Sequence, residues 1–170
     1  MLCLDFASRP DAGDVANNSY FVTGALATMR MIDTLGSRAV GTQSSQLIAL
    51  PSHLSAFPPR VLQGTILPVI FKLCTQNPSL WVYALATHMY MAQHLPGGTY
   101  TKLASSYVAQ GLAVTTPVEV TQIFLKNINW LVSTFDGSFV EQHVTTLYCN
   151  ALDKQNSNIQ VCSLYWFEMK

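Results

Sequence analysis

The side chains able to do chemistry are few and scattered through the 170 residues. The four histidines are His53, His88, His94 and His143. His88 and His94 stand six apart, which does not put two ligands on one helix face, and no His sits near a Cys at zinc-finger spacing. The cysteines are Cys3, Cys74, Cys149 and Cys162, none in a C-x-x-C pair. They read as reduced thiols in or near a core. Asp5, Asp11, Asp14, Asp33, Asp136 and Asp153 fall mostly where helices should begin or end, so capping accounts for them. Glu119 and Glu141 each take the fourth place of a capping box, Thr116-Pro117-Val118-Glu119 and Ser138-Phe139-Val140-Glu141. No carboxylate pair is left for acid–base work. Gly97-Gly98 and the stretch from Gly36 to Gly41 lack the Lys of a phosphate cradle. Trp81, Tyr83, Tyr90 and Tyr165-Trp166-Phe167 have no interleaved Arg or Lys, so they read as core rather than as stacking platforms for bases. Arg60 is the odd residue: a cation in the first turn of a helix opposes the dipole. It is expected to contact a carboxylate or the carbonyls of the preceding loop. The sequence thus assigns no catalytic residue, no cofactor and no metal. A Cys- or Ser-His hydrolase is the enzyme reading to test, and it requires His88 or His143 beside a Cys in a cleft.

The elements that must position these residues are helical. The pivotal stretch is Phe57-Pro58-Pro59-Arg60-Val61-Leu62-Gln63-Gly64-Thr65-Ile66-Leu67-Pro68. Pro59 reads as the first residue of a helix, where a missing N–H costs nothing. Val61, Leu62, Thr65, Ile66, Val69, Ile70 and Leu73 then follow at helical spacing. Pro68 falls inside this pattern and should cost about 3 kcal/mol and kink the helix. Before it, a helix is expected over about 18–35, with Val22, Leu26, Met29 and Ile32 inward, and another over about 43–50, stopped by Pro51. After it, Asn77-Pro78-Ser79 turns the chain into a helix over about 80–94 that buries Trp81, Leu85, Met89 and Ala92. Pro96-Gly97-Gly98 should close that helix with a left-handed glycine. A helix over about 99–110 carries Leu103 and Tyr107. The first capping box launches one to about Phe135 through Val120, Phe124, Ile128 and Leu131. The second opens a helix with Phe139, Val140, His143, Val144, Leu147, Tyr148 and Ala151, and Ser157 starts a last one with Ile159, Cys162 and Trp166.

Helix pairs begin near Pro59, Thr99 and Ser138, a period of about 39 residues, close to that of HEAT and armadillo repeats. No alternating strand pattern competes. The reading is all-α: a HEAT/armadillo-like α-α superhelix of three to four helix pairs. A lead-in covers 1–16 and the repeat domain 17–170, with pairs at about 17–57, 58–95, 99–135 and 138–170. A plain helical bundle fits the same pattern. The apolar end, Leu164-Tyr165-Trp166-Phe167, lacks the polar face of a terminal repeat. It suggests a longer array, or self-association through an uncapped end.

Composition narrows the function. Charged residues are 11% of the chain, against about 25% in typical proteins. Nine basic and nine acidic residues leave no net charge, which disfavours nucleic acid and anionic membrane surfaces. A weakly charged surface favours association with other proteins. No apolar run reaches the roughly 20 residues of a membrane span, and Met1 to Phe6 has no signal-peptide pattern. The chain is expected in the cytoplasm.

The string Leu50-Pro51, Leu54, Phe57-Pro58-Pro59-Arg60-Val61-Leu62, Ile66-Leu67-Pro68 resembles the helical region of the SCY-one-like (Scyl) pseudokinases. Weaker likeness continues through Tyr100-Thr101-Lys102-Leu103 and Leu147 to Leu152, with Gln160-Val161 following. In that family a kinase-like domain without ordinary activity precedes HEAT repeats. The motif residues are Leu50, Pro51, Pro58, Pro59, Arg60, Val61, Ile66, Leu67 and Pro68. Ser106 and Thr146 stand where the family tends to repeat the proline. The kinase-like domain is missing from this sequence, so no nucleotide site carries over. The resemblance implies a scaffold in membrane traffic, with clathrin- or coatomer-type coat components as partners and Golgi or endosomal vesicles as its place; some members are tied to tRNA export. The alternatives are a regulatory segment of an active protein kinase, a generic HEAT/armadillo adaptor, and an α-repeat that binds RNA.

Overall fold

Apolar residues at helical spacing, punctuated by proline and glycine, give a chain built from helices. The computed structural model describes Asp11, Gly13, 24–96 and 98–153, the side chains of 152 and 153 excepted. Among these residues there is no strand. Helix α1 is Gly24–Leu35 and α2 is Val40–Ala49. A 3-10 segment, Leu50–Ala56, leads to α3 (residues 59–76). A 3-10 turn, Pro78–Leu80, opens α4, Trp81–His94. Then come α5, Thr99–Leu112, α6, Val118–Lys126, α7, Ile128–Thr134, and α8 (residues 137–153). The expected helix beginning at Ser157 lies outside the described residues, as do 18–23 of the first expected helix and nearly all of the lead-in.

The contacts follow a regular order. α1 packs on α2, α3 on α4, and α5 on α6. In addition α2 packs on α4 and α4 on α6, while α3 packs on α5 and α5 on α8. α6 and α7 also reach α8. One buried cluster runs through all of these helices, from Ile32 and Leu35 to Leu147 and Ala151.

Pro59 begins α3 behind an extended Pro58, as its missing N–H allows. Pro68 does not end the helix. Just ahead of it, Leu62–Ile66 form a π-turn in which the Leu67 N–H reaches back five residues to the Leu62 carbonyl. The extra residue in that turn shifts the carbonyls that a proline ring would meet in a regular helix, so Pro68 fits inside. A second π-turn, Val140–Val144, lies in α8, its bond running from the Thr145 N–H to the Val140 carbonyl. The two turns are 78 residues apart, twice the 39-residue spacing, and Thr146 takes the place of Pro68. The π-turn therefore does not depend on proline. It accommodates one in α3.

Several local expectations are corrected. Neither capping box forms. Pro117 itself is the extended residue before α6, with no side-chain cap. α8 is capped by Asp136, whose Oδ1 accepts from the Phe139 N–H at 2.8 Å and from the Ser138 hydroxyl at 3.0 Å. That carboxylate, two residues ahead of Ser138, is the stronger acceptor, and the two hydrogen bonds hold its pKa below the ordinary value. Gly98 is left-handed, φ 73°, but it opens α5 rather than closing α4, which ends on an extended Leu95. Helix α2 does stop ahead of Pro51, at Ala49, and the chain continues as the 3-10 segment. The single helix expected to Phe135 breaks at Asn127, whose side-chain amide donates to the Ile123 carbonyl at 2.8 Å. On α5 the inward residues are Tyr100, Ala104, Val108, Gly111 and Leu112, while Leu103 and Tyr107 are exposed. Leu26 is likewise exposed, and the inner face of α1 is Thr28, Ile32 and Leu35.

Candidate functional site

His88 lies at the centre of the molecule, on α4 and fully buried. Its ring stacks on Phe71 of α3, 5.1 Å between centroids, and on Trp81 of its own helix at 4.9 Å. Tyr100 of α5 stands tilted at 6.3 Å. Neither imidazole nitrogen has a hydrogen-bond partner, nor does the Tyr100 hydroxyl or Trp130 Nε1. Burial pushes the His88 pKa down to about 3, so the ring is neutral. The same burial raises Cys74 to about 12 and Tyr100 well above the usual phenol range. A thiol so raised is not a thiolate nucleophile. Of the two histidines the hydrolase reading needs, His88 does not serve it, since among the described residues it bonds to no Cys and it faces no cleft. The cluster is an aromatic core containing a histidine.

The remaining candidates disperse. His94 is exposed, its ring stacked on Tyr90 at 3.9 Å with Nδ1 2.9 Å from the Tyr90 carbonyl oxygen. His53 is exposed on the 3-10 segment. His143 is half-buried on α8 against Phe139, at 4.8 Å. Cys149 is exposed on α8, and Cys3 and Cys162 lie outside the described residues. Among the described residues no three His, Cys, Asp or Glu side chains gather as a metal site.

The string 50–68 forms the seam between the 3-10 segment and α3. Leu50, Leu54, Phe57, Leu62, Ile66 and Leu67 are core residues, Pro51 and Val61 are half-buried, and Pro58, Pro59 and Pro68 face out. Arg60 is exposed, without a hydrogen bond or ion pair among the described residues. The contact expected of it is not made. At the outer rim of the first turn a long cation reaches water and needs no partner.

An open concavity lies between α5 and α8. It is an open groove of about 690 Å³, edged by Thr101, Lys102, Ser105 and Ser106 on one side and by Ser138, Gln142 and His143 on the other. Phe135 and Phe139 form its floor, stacked at 4.3 Å. A smaller hollow of about 190 Å³ shares Ala109, Gln142 and His143 with it and continues toward Asn150 and Ala151. Only Lys102 and Asp136 are charged among the groove residues. Sequence reasoning missed this surface because Ser, Thr and Gln on two separate helices carry no motif. The available signal was the four-residue spacing of Thr101 and Ser105 on a helix with few charges.

The chain matches no protein-family model, no curated protein and no solved structure. What fold and site define is a class: an all-helical protein with a neutral, hydroxyl-edged groove. No helix among its described residues is long and apolar enough to cross a membrane.

Proposed function

We propose that this chain is a non-catalytic helical-repeat scaffold, a HEAT-like stack of helix pairs that binds protein partners. One observation carries the reading: first helices touch first helices and second helices touch second helices along the chain, α3 to α5 to α8 and α2 to α4 to α6. Consecutive hairpins stacked side by side make such contacts, each covering the apolar flank of the one before. The π-turns spaced at twice the repeat length support the same view. Among the described residues the buried titratable groups His88, Cys74 and Tyr100 are held uncharged within a core. The resemblance of the 50–68 string to the Scyl helical region directs the choice of partner to clathrin- or coatomer-type coat components on Golgi or endosomal vesicles, met from the cytoplasm.

The test is direct binding of the purified full chain to purified clathrin heavy-chain terminal domain and to coatomer, followed by surface plasmon resonance. Saturable binding to either is expected. With no net charge on the chain, that binding should change little with added salt. Failure of both to bind at high micromolar concentration would remove the trafficking assignment.

A further inference from the structure

We propose that the Phe135 ring fills a ligand site between α5, α7 and α8, and that the site takes a small neutral aromatic molecule bearing an oxygen, a phenol, in place of that ring. The inference goes beyond the scaffold reading and does not need it. Phe135 sits in a box of three rings from three helices. Phe139 of α8 stacks on it at 4.3 Å, with the planes 20° apart. Trp130 of α7 meets it edge-on at 6.1 Å, and Tyr100 of α5 stands tilted at 6.2 Å. These are the arrangements in which a planar ring is held best. Two of the three walls are unfinished. Tyr100 is 2% exposed and Trp130 9%, yet neither the hydroxyl nor Nε1 has a hydrogen-bond partner among the described residues. Buried polar groups are normally paired, and a phenylalanine ring can satisfy neither of these. A phenol can do both, since its oxygen accepts from an indole N–H and its hydroxyl donates to another hydroxyl.

The second argument is access. Phe135 belongs to neither neighbouring helix: α7 ends at Thr134, α8 begins at Gly137, and Phe135 itself is extended, with φ −100° and ψ 159°. Its ring leaves the box by turning between side-chain rotamers, with no helix to unwind. The open groove lies directly in front, with Phe135 and Phe139 as its floor, so a displaced ring and an arriving one both have room. The third argument is charge. The three walls are uncharged rings, and the nearby Asp136 carboxylate is engaged as the cap of α8. An ion entering the box would lose its water without meeting a counter-charge on those walls, which selects a neutral ligand. His88 stays stacked between Phe71 and Trp81 and takes no part.

The experiment titrates two probes onto the full chain, 4-fluorophenol and 4-fluorotoluene, which differ in a hydroxyl against a methyl, and follows each by fluorine NMR. Saturable binding of 4-fluorophenol is expected, about tenfold or more tighter than that of 4-fluorotoluene, because only the phenol pairs the buried polar atoms. Tyr100→Phe keeps the wall ring and removes its hydroxyl, and should erase most of that preference. Phe135→Ala removes the competing ring and should tighten 4-fluorophenol about tenfold or more, since the open box no longer has to be populated first. In the parent itself, the Trp130 indole N–H resonance should shift as it gains an acceptor, so the test does not depend on a variant that fails to fold. Equal binding of the two probes would show that the polar atoms do not serve the ligand, and would overturn the inference. Binding by Phe135→Ala but not by the parent would mean that the substitution made the hole, and overturns it as well. So would a Trp130 signal that stays still while 4-fluorophenol saturates, because the probe would then be bound elsewhere. No binding by the parent ends the proposal and leaves the coat-protein measurement to decide the scaffold reading alone.

Discussion

His88 shows how far a single residue type can mislead. An imidazole in the middle of a helix suggests a ligand or a base, yet here it fills a slot between Phe71 and Trp81 with both nitrogens unpaired. Unpaired buried polar atoms cost about 1–3 kcal/mol each relative to paired ones. His88→Phe keeps the ring and the stack and removes both orphans. It is expected to match or exceed the parent's stability at pH 7 in urea unfolding. The pH dependence follows from the direction of the shift. The folded pKa, about 3, lies below the ordinary 6.5, so the unfolded chain takes up the proton first. The stability linked to His88 is whole above pH 6.5 and is lost as pH falls from there toward 3. Cys74 and Tyr100, the titratable neighbours, stay protonated throughout that window. The parent should therefore lose more stability between pH 7 and pH 4.5 than His88→Phe does. Equal losses would mean that the ring is solvated in solution.

Asp136 carries the contrast between pattern and geometry. A Ser-x-x-Glu box at Ser138 and Glu141 was the sequence signal, but the cap belongs to the carboxylate before it. Asp136→Ala should lower stability, as loss of an N-cap does, whereas Glu141→Ala should change it by much less. Thermal melting of the two variants distinguishes the cap from the box, and the reverse order would restore the box.

At the scale of elements, what was legible is what depends on local chain chemistry. Pro59 starts a helix, and Val120, Phe124, Ile128 and Leu131 point inward, because proline geometry and a 3.6-residue period act without regard to the rest of the molecule. The break at Asn127 and the outward turn of Leu103 and Tyr107 were not legible, since both are decided by which neighbour each helix meets. The crossing of α4 and α5 is the clearest instance. Gly111 sits against the Trp81 indole, and a Cβ placed there would lie 2.7 Å from the ring. Nothing in the sequence distinguishes Gly111 from a helix-terminating glycine. Gly111→Ala gains helix propensity, about 1 kcal/mol, but must displace a buried ring in a close-packed core, which costs about 1–3 kcal/mol. Net destabilisation is expected, with a change in tryptophan fluorescence as Trp81 shifts. A stabilised variant with unchanged emission would show that the two helices stand further apart.

For the whole molecule the question is whether the helices form a line or a ball. The groove belongs to this scale, because it exists only where α5 and α8 meet across some forty residues of chain, and for that reason no local pattern announced it. A line and a ball respond differently to damage at one end. Leu47 is fully buried on α2, which touches α1, the 3-10 segment and α4 but makes no substantial contact with α8. Leu47→Ala removes about 2–5 kcal/mol of local packing. In a row of hairpins stability is a sum of units and nearest-neighbour interfaces. Amide hydrogen exchange should then speed up in α1, in α2 and on the α2-facing side of α4, fade through α5, and leave α8 at its parental rate. A globule with one shared core would lose protection evenly, because every helix there opens through the same global unfolding. Exchange followed by mass spectrometry resolves the gradient helix by helix, and a uniform loss extending into α8 would end the stacked-hairpin reading and the scaffold proposal built on it.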